Sequence, residues 1–148
     1  MNRHLAAAAA TIAFALTATA VMAQADPIKE RKTLLKEFGD DTHPLADMMK
    51  GQKAFDLAAV QKALDAYVKN VKELPNLFPE GTDKGGDTEA LPAIWKNKTK
   101  FDDLYVKLGT DATAARAAIT DEASFKKNFP AVVKNCGACH DDFRQKKN

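Results

Sequence analysis

A Cys-x-x-Cys-His run, Cys136-Gly137-Ala138-Cys139-His140, stands near the end of the chain with eight residues after it. It constrains the fold more than any other feature. Two thiols at this spacing with an imidazole directly behind them form the attachment pattern for c-type haem. The thiols bond to the vinyl carbons of the porphyrin, and the histidine beneath the ring is placed to ligate iron. On a helix, positions 136, 139 and 140 stand at i, i+3 and i+4 and share one face. The rest of the chain must then close around a flat cofactor held against that face. A thioredoxin-like thiol pair would need a βαβ context, which nothing here supplies. A zinc site needs about four ligands, and a set built from Cys136, Cys139, His140 and the distant His43 can be forced but not argued.

The N-terminal stretch reads as a targeting segment rather than as part of the fold. Arg3 and His4 precede an alanine-rich apolar run from Leu5 to Ala20, and small residues then offer cleavage after Ala23 or Ala25. A membrane anchor is the competing reading, but the run is short, mostly alanine and interrupted by three threonines. We therefore expect residues 1–23 to be a signal peptide and residues 24–148 to be one exported domain, periplasmic in a bacterium. Export agrees with the motif, because bacteria attach c-type haem outside the cytoplasm. About 125 residues remain, enough for one core. Processing removes only Arg3 from the 22 basic residues, against 20 acidic ones, so the mature chain is nearly neutral. There is no basic stripe with interleaved aromatics, which excludes nucleic-acid binding as the reading.

Apolar residues recur at helical spacing throughout. Ile28, Leu35, Phe38, Thr42, Leu45 and Met49 mark a first helix opening at Pro27. Gly39 and Pro44 predict a kink or restart within it, capped by Thr42 or His43, because an interior proline costs about 3 kcal/mol. A second helix opens at the N-cap candidate Asp56, buries Leu57, Val60, Leu64, Tyr67, Val68 and Val71, and stops at Pro75. The connection to Leu91 is long, which marks functional or disordered loops, and Leu77-Phe78 should fold back onto the core. A third, long helix is expected from Pro92 to Ile119, its stripe running through Ile94, Trp95, Phe101, Leu104, Tyr105 and Leu108, with a weak point at Gly109. A fourth begins after Thr120 or Asp121 and turns Phe125, Phe129, Val132, Val133, Cys136, Cys139 and Phe143 inward, with Pro130 bending it or detaching a first turn. No stretch alternates with a two-residue period. The fold class expected is all-α, an antiparallel four-helix bundle with covalently attached haem c.

His140 supplies one axial ligand, and the sixth position decides between electron transfer and chemistry at iron. No methionine follows the motif, and of the four in the chain only Met48 and Met49 survive processing. Core filling is the better reading of both. His43, beside Pro44, is a further candidate ligand that would more naturally face water.

From Ile28 to Lys147 the chain resembles the cytochrome c′ family of class II c-type cytochromes. The resemblance rests on Arg31 to Leu35, Lys50-Gly51, Leu77-Phe78-Pro79, Thr88-Glu89-Ala90-Leu91-Pro92-Ala93-Ile94-Trp95, and Cys136 to Asp141 with Phe143-Arg144. It implies one haem c per chain, bound through Cys136 and Cys139, with His140 as axial iron ligand. It also implies haem contacts from Arg31 to a propionate, from Thr88 and Glu89 at the haem edge, and from Lys32, which stands where the family often has glutamine and acts as a point charge. Thr88 and Glu89 equally suit a capping pair ahead of the third helix. Arg144 matches a proximal-side arginine, or simply interacts with the helix C-terminus.

Counting back from Lys50-Gly51, the resemblance places Leu35 at the distal position, where low-spin relatives carry a ligating methionine. Leucine has no lone pair, so the implied iron is five-coordinate and high-spin beneath an apolar pocket of Leu35, Phe38 and Phe78. Such a pocket suits nitric oxide and carbon monoxide; a leucine in plain bundle core is the bland alternative. The implied function is a non-enzymatic, gas-binding haem protein able to transfer electrons to an unknown redox partner. The competing expectation is a low-spin electron carrier with Met48, Met49 or His43 on iron. A homodimer through the first two helices is also implied, as is the lack of a membrane anchor after processing.

Overall fold

The computed structural model describes residues 26–146; the expected signal peptide and its cleavage sites lie outside them. Four long helices dominate: α1 (Pro27–Met49), α2 (Leu57–Glu73), α4 (Lys98–Ala118) and α5 (Glu122–Phe143). A 3₁₀ turn, Leu74–Leu77, follows α2, and the short α3, Ala93–Lys96, precedes α4. No strand occurs among the described residues, only an isolated antiparallel bridge between Ala90 and Arg144.

The helix starts follow from capping. The Asp26 carboxylate accepts from the Ile28 and Lys29 amides at 2.9 and 3.3 Å, and Asp56 accepts from Ala59 at 3.1 Å. Asp121 and Ser124 cap reciprocally at the head of α5, each side chain meeting the other's backbone amide at 2.8 and 3.0 Å. Three long helices interlock along α4, which packs on both α2 and α5. Gly109, expected as a weak point, is continuous helix; a Cβ there would stand 3.0 Å from Val71 Cγ2. The glycine therefore lets α2 and α4 approach closely.

Phe101, Phe125, Phe129, Leu64 and Leu74 are fully enclosed, each such side chain contributing about 1.5–3 kcal/mol relative to exposure. Phe101 is the hub of an edge-to-face set, with ring centres 4.7 Å from Phe78, 5.1 Å from Tyr105 and 5.3 Å from Phe143. Leu77 and Phe78 do fold back onto the core.

Several local expectations are corrected. α1 runs unbroken through Gly39 and Pro44, with no cap at Thr42 or His43. Pro44 can only forfeit its bond to Asp40, an exposed residue whose carbonyl is free to tilt toward water. Pro130 likewise sits within an unbroken α5, on its exposed side. The single long third helix is divided at Asn97 (φ −130°, ψ 46°), which sets α3 apart from α4. Leu57 and Val133, expected inside, are 36% and 37% exposed.

Candidate haem site

α1 packs mainly on α2 and the 3₁₀ turn, while α5 packs on α4. Between α1 and α5 lies a cavity of about 700 Å³, closed at one end by the loop that carries Thr88 and Glu89. From α5 it is lined by Asn135, Cys136, Cys139, His140, Phe143 and Arg144. From α1 it is lined by Arg31, Lys32, Leu35, Phe38, Thr42 and His43 among others, and from α4 by Phe101, Leu104, Tyr105 and Leu108. The volume is within the usual range for a small-molecule or cofactor site, about 300–1,000 Å³.

The donor set fits a thioether-bound haem. Cys136 and Cys139 are both free and half-buried, one turn apart on the wall of the same cavity. Burial raises both thiols above the ordinary range, Cys139 to about 11 with help from the neighbouring Cys136 and Asp142. Neither is thus the low-pKa thiolate of a redox pair. Among the described residues no cluster of three or more His, Cys, Asp or Glu could hold a metal ion. The His140 imidazole is pushed below its ordinary value, first by desolvation and then by the Arg144 charge. The shift favours the neutral form, which has the lone pair that iron needs. Cys136 and Cys139 would hold the haem edge and His140 its iron; when bound, the group supplies redox and small-ligand chemistry.

Arg31, Lys32, Leu35, Thr88, Glu89 and Arg144 all meet this cavity, though not always in the expected way. Arg31 is only 1% exposed, and its four Nη hydrogens are all used. Nη1 donates to the Leu77 carbonyl (3.1 Å) and Thr82 Oγ1 (2.8 Å), and Nη2 to the Thr82 carbonyl and Thr88 Oγ1, both at 2.7 Å. The guanidinium also lies 4.6 Å from the Phe78 ring centre. Arg31 thus fastens the loop to α1. Lys32 Nζ adds a bond to the Gly86 carbonyl at 3.0 Å. Gly86 itself is tight against α1: a Cβ would fall 2.8 Å from Ile28 Cγ2, at a φ of +56°.

The other end of the loop is tied to α5. Arg144 Nε meets Glu89 Oε2 at 2.8 Å, the Arg144 amide reaches the His140 carbonyl, and Leu91 and Phe143 pair through backbone at 3.0 Å. Thr88 and Glu89 do not cap a helix; α3 begins at Ala93 with no side-chain cap.

Leu35 lines the α1 wall, across the cavity from the cysteines, and is 39% exposed. Met48 does not reach the cavity: it is 2% exposed in the core, and Met49 packs partly buried against that core. The sixth-ligand role expected as an alternative for either methionine is therefore corrected: Met48 is enclosed in the core, and Met49 stands fourteen residues beyond Leu35, about 21 Å along the helix axis. His43 is exposed and does touch the cavity. It stands eight residues beyond Leu35, about 12 Å along the helix axis at 1.5 Å per residue. The cavity also contains polar groups that sequence reading missed: Thr42, Tyr105 and Asn135. Only their helical spacing with Leu35, Phe101 and Cys139 could have signalled them.

A model of the cytochrome c′ family matches residues 26–144. This chain belongs to the cytochrome c′ family. It is 54% identical to a cytochrome c′ of Rhodopseudomonas palustris over 127 residues, covering 86% of this chain and 87% of that one. A solved cytochrome c′ structure from Rhodopseudomonas palustris superposes with a TM-score of 0.83 at 54% identity, covering 84% of this chain and all of that one. A cytochrome c-556 of Agrobacterium fabrum is 39% identical, with 89% of each chain covered. The family's fold is the four-helix bundle observed here, and its members carry one covalently bound haem c.

With the loop anchored by a buried guanidinium, Arg31→Met is expected to lower holoprotein stability by about 3 kcal/mol. Methionine keeps the apolar stem but strands two backbone carbonyls at about 1–3 kcal/mol for each buried unsatisfied group. Thermal denaturation followed by helical circular dichroism measures this. An unchanged midpoint would show that Arg31 does not hold the loop.

Proposed function

We propose that this family member is an exported, non-enzymatic haem c protein whose iron lacks a protein ligand on the α1 side and binds nitric oxide and carbon monoxide there. The observation that carries the reading is Leu35 on the α1 wall with no methionine lining the cavity. Leu35 and Phe38 surround the distal space with hydrocarbon, and Thr42 offers it no proton. The Thr42 hydroxyl spends its proton on the Phe38 carbonyl and so accepts from Tyr67, both at 2.5 Å. Burial raises Tyr67 to about 12, which keeps that proton in place. Leu35 and Phe38 give a bound ligand no hydrogen-bond donor, which favours nitric oxide and carbon monoxide over oxygen.

Peroxidase chemistry has little support. It needs a base and a cation converging on one substrate, whereas Arg31 and His43 are separated by about 18 Å along α1 and Arg31 is committed to the loop. Electron transfer with a redox partner is compatible with the same site. Homodimerisation through α1 and α2 is part of the proposal, and Leu57, 36% exposed on α2, is an apolar residue available to it. Export after Ala23 or Ala25 is likewise proposed. Among the described residues no helix is long and apolar enough to cross a membrane.

The second reading, His43 as sixth ligand in a low-spin electron carrier, is favoured only by that residue's place on the cavity. Absorption spectra separate the two. The proposal expects a high-spin ferric spectrum and stoichiometric uptake of carbon monoxide by the reduced protein. A low-spin ferric spectrum with slow, weak carbon monoxide uptake would establish the second reading instead.

A further inference from the structure

Three polar side chains that line the cavity are almost wholly buried: Arg31, Asn135 and Tyr105, at 1%, 5% and 7% exposure. Two of them have committed their donors. The Arg31 Nη hydrogens hold the loop, as described above. The Asn135 amide donates to Asp111 Oδ2 at 2.7 Å and to the Ala131 carbonyl at 3.0 Å. Tyr105 differs. Its ring is held edge-on against Phe101, yet its hydroxyl makes no hydrogen bond among the described residues. No fully buried side-chain N or O atom among those residues lacks a partner, so this hydroxyl keeps open access, and the space it borders is the cavity. Burial raises its pKa strongly. The group is therefore a neutral O–H donor across the physiological range.

Haem filling the cavity would shut water away from this hydroxyl, and a buried hydroxyl without an acceptor costs about 1–3 kcal/mol, so the cofactor should supply one. The periphery of a c-type haem is methyl groups, two thioethers, whose sulfurs are weak acceptors, and two propionates, which are its strong hydrogen-bond acceptors. The Arg31 guanidinium lies 4.6 Å from the Phe78 ring centre, Phe78 4.7 Å from Phe101 and Phe101 5.1 Å from Tyr105, so cation and free donor border one aromatic wall of the cavity; Tyr105 also feels Cys139, at the thioether end, more than it feels Arg31. A carboxylate entering there finds the guanidinium charge, but the Nη donors are taken and only Nε–H is left. We propose that the Tyr105 hydroxyl donates the hydrogen bond that fixes a haem propionate, with Arg31 supplying charge and holding the loop rather than gripping the carboxylate with its fork. This rests on haem attachment alone and not on the gas-binding proposal.

Tyr105→Phe tests it, since the ring and its packing on Phe101 are retained. In resonance Raman spectra of the holoprotein the propionate bending mode is expected to move. The reduction potential should fall, because a carboxylate without its donor holds more negative charge beside ferric iron. The C–O stretch of the reduced carbonmonoxy form should stay where it is. An unmoved propionate mode overturns the proposal, as does a shifted C–O stretch, which would place the hydroxyl against the axial ligand. A second measurement needs no variant. In the diamagnetic carbonmonoxy form the Tyr105 hydroxyl proton should show a nuclear Overhauser contact to a propionate methylene. A contact only with the distal face, or none, overturns the assignment.

Discussion

A chain carrying Cys136→Ala and Cys139→Ala is expected to release all of its haem into acidified organic solvent, where the unaltered protein keeps the cofactor on the polypeptide. Both thiols stand on the wall of the cavity between α1 and α5, and no other cysteine exists to replace them. With the tether gone, His140 and the apolar wall must hold haem by ordinary binding. Dilution then removes a stabilisation that amounts to about 4 kcal/mol for a ligand present at a thousand times its dissociation constant. Denaturation midpoints should consequently depend on added haem in the variant and not in the parent. Haem that stays with the denatured variant chain would sink the assignment of these two residues.

The second large effect is expected from Leu35→Met. Methionine is nearly isosteric with leucine, so the bundle tolerates it at under about 1.5 kcal/mol, but it brings a thioether lone pair to the α1 wall. If Leu35 covers the iron, the haem becomes six-coordinate and low-spin. Carbon monoxide must then displace a bonded sulfur. The affinity should fall tenfold or more, each factor of ten corresponding to about 1.4 kcal/mol. The absorption spectrum and a carbon monoxide titration of the reduced protein report the two changes together. A variant that remains five-coordinate with unchanged gas affinity would remove Leu35 from the distal position.

The long amphipathic helices were legible because their signals are local. Asp56 and Asp121 cap α2 and α5 through bonds spanning three residues, and the apolar periods of α2, α4 and α5 need no distant partner to be read. The errors share a cause. Pro44 and Pro130 carry an intrinsic cost, but the lost hydrogen bond of each lies on an exposed helix side, where water replaces it and packing of the opposite face keeps the helix whole. Gly109 was assigned a helix-weakening role, yet its bare Cα is what lets Val71 come close. The break instead fell at Asn97, where no proline or glycine marks it. Leu57 and Val133 continue their helices' apolar stripes but stand beyond the contact with neighbouring helices.

Arg31 shows the same division within the site. Its resemblance to a propionate-binding arginine is a statement about one position. What it does depends on Leu77, Thr82 and Thr88, which lie 46, 51 and 57 residues away. Tyr105 carried no signal in the sequence beyond its place on an apolar stripe. Only the commitment of its neighbours' donors makes its hydroxyl informative.

The sequence by itself determined the covalent cofactor and the helical class, because Cys136, Cys139 and His140 fall on one helix face and periodicity acts over a few residues. Only the tertiary structure decided that Met48 belongs to the core, that Leu35 belongs to the cavity wall, and that the loop is strapped from Arg31 on α1 to Arg144 on α5. Those outcomes depend on which helices meet and which are held apart, and that is set by packing across the whole bundle rather than by any one stretch of chain.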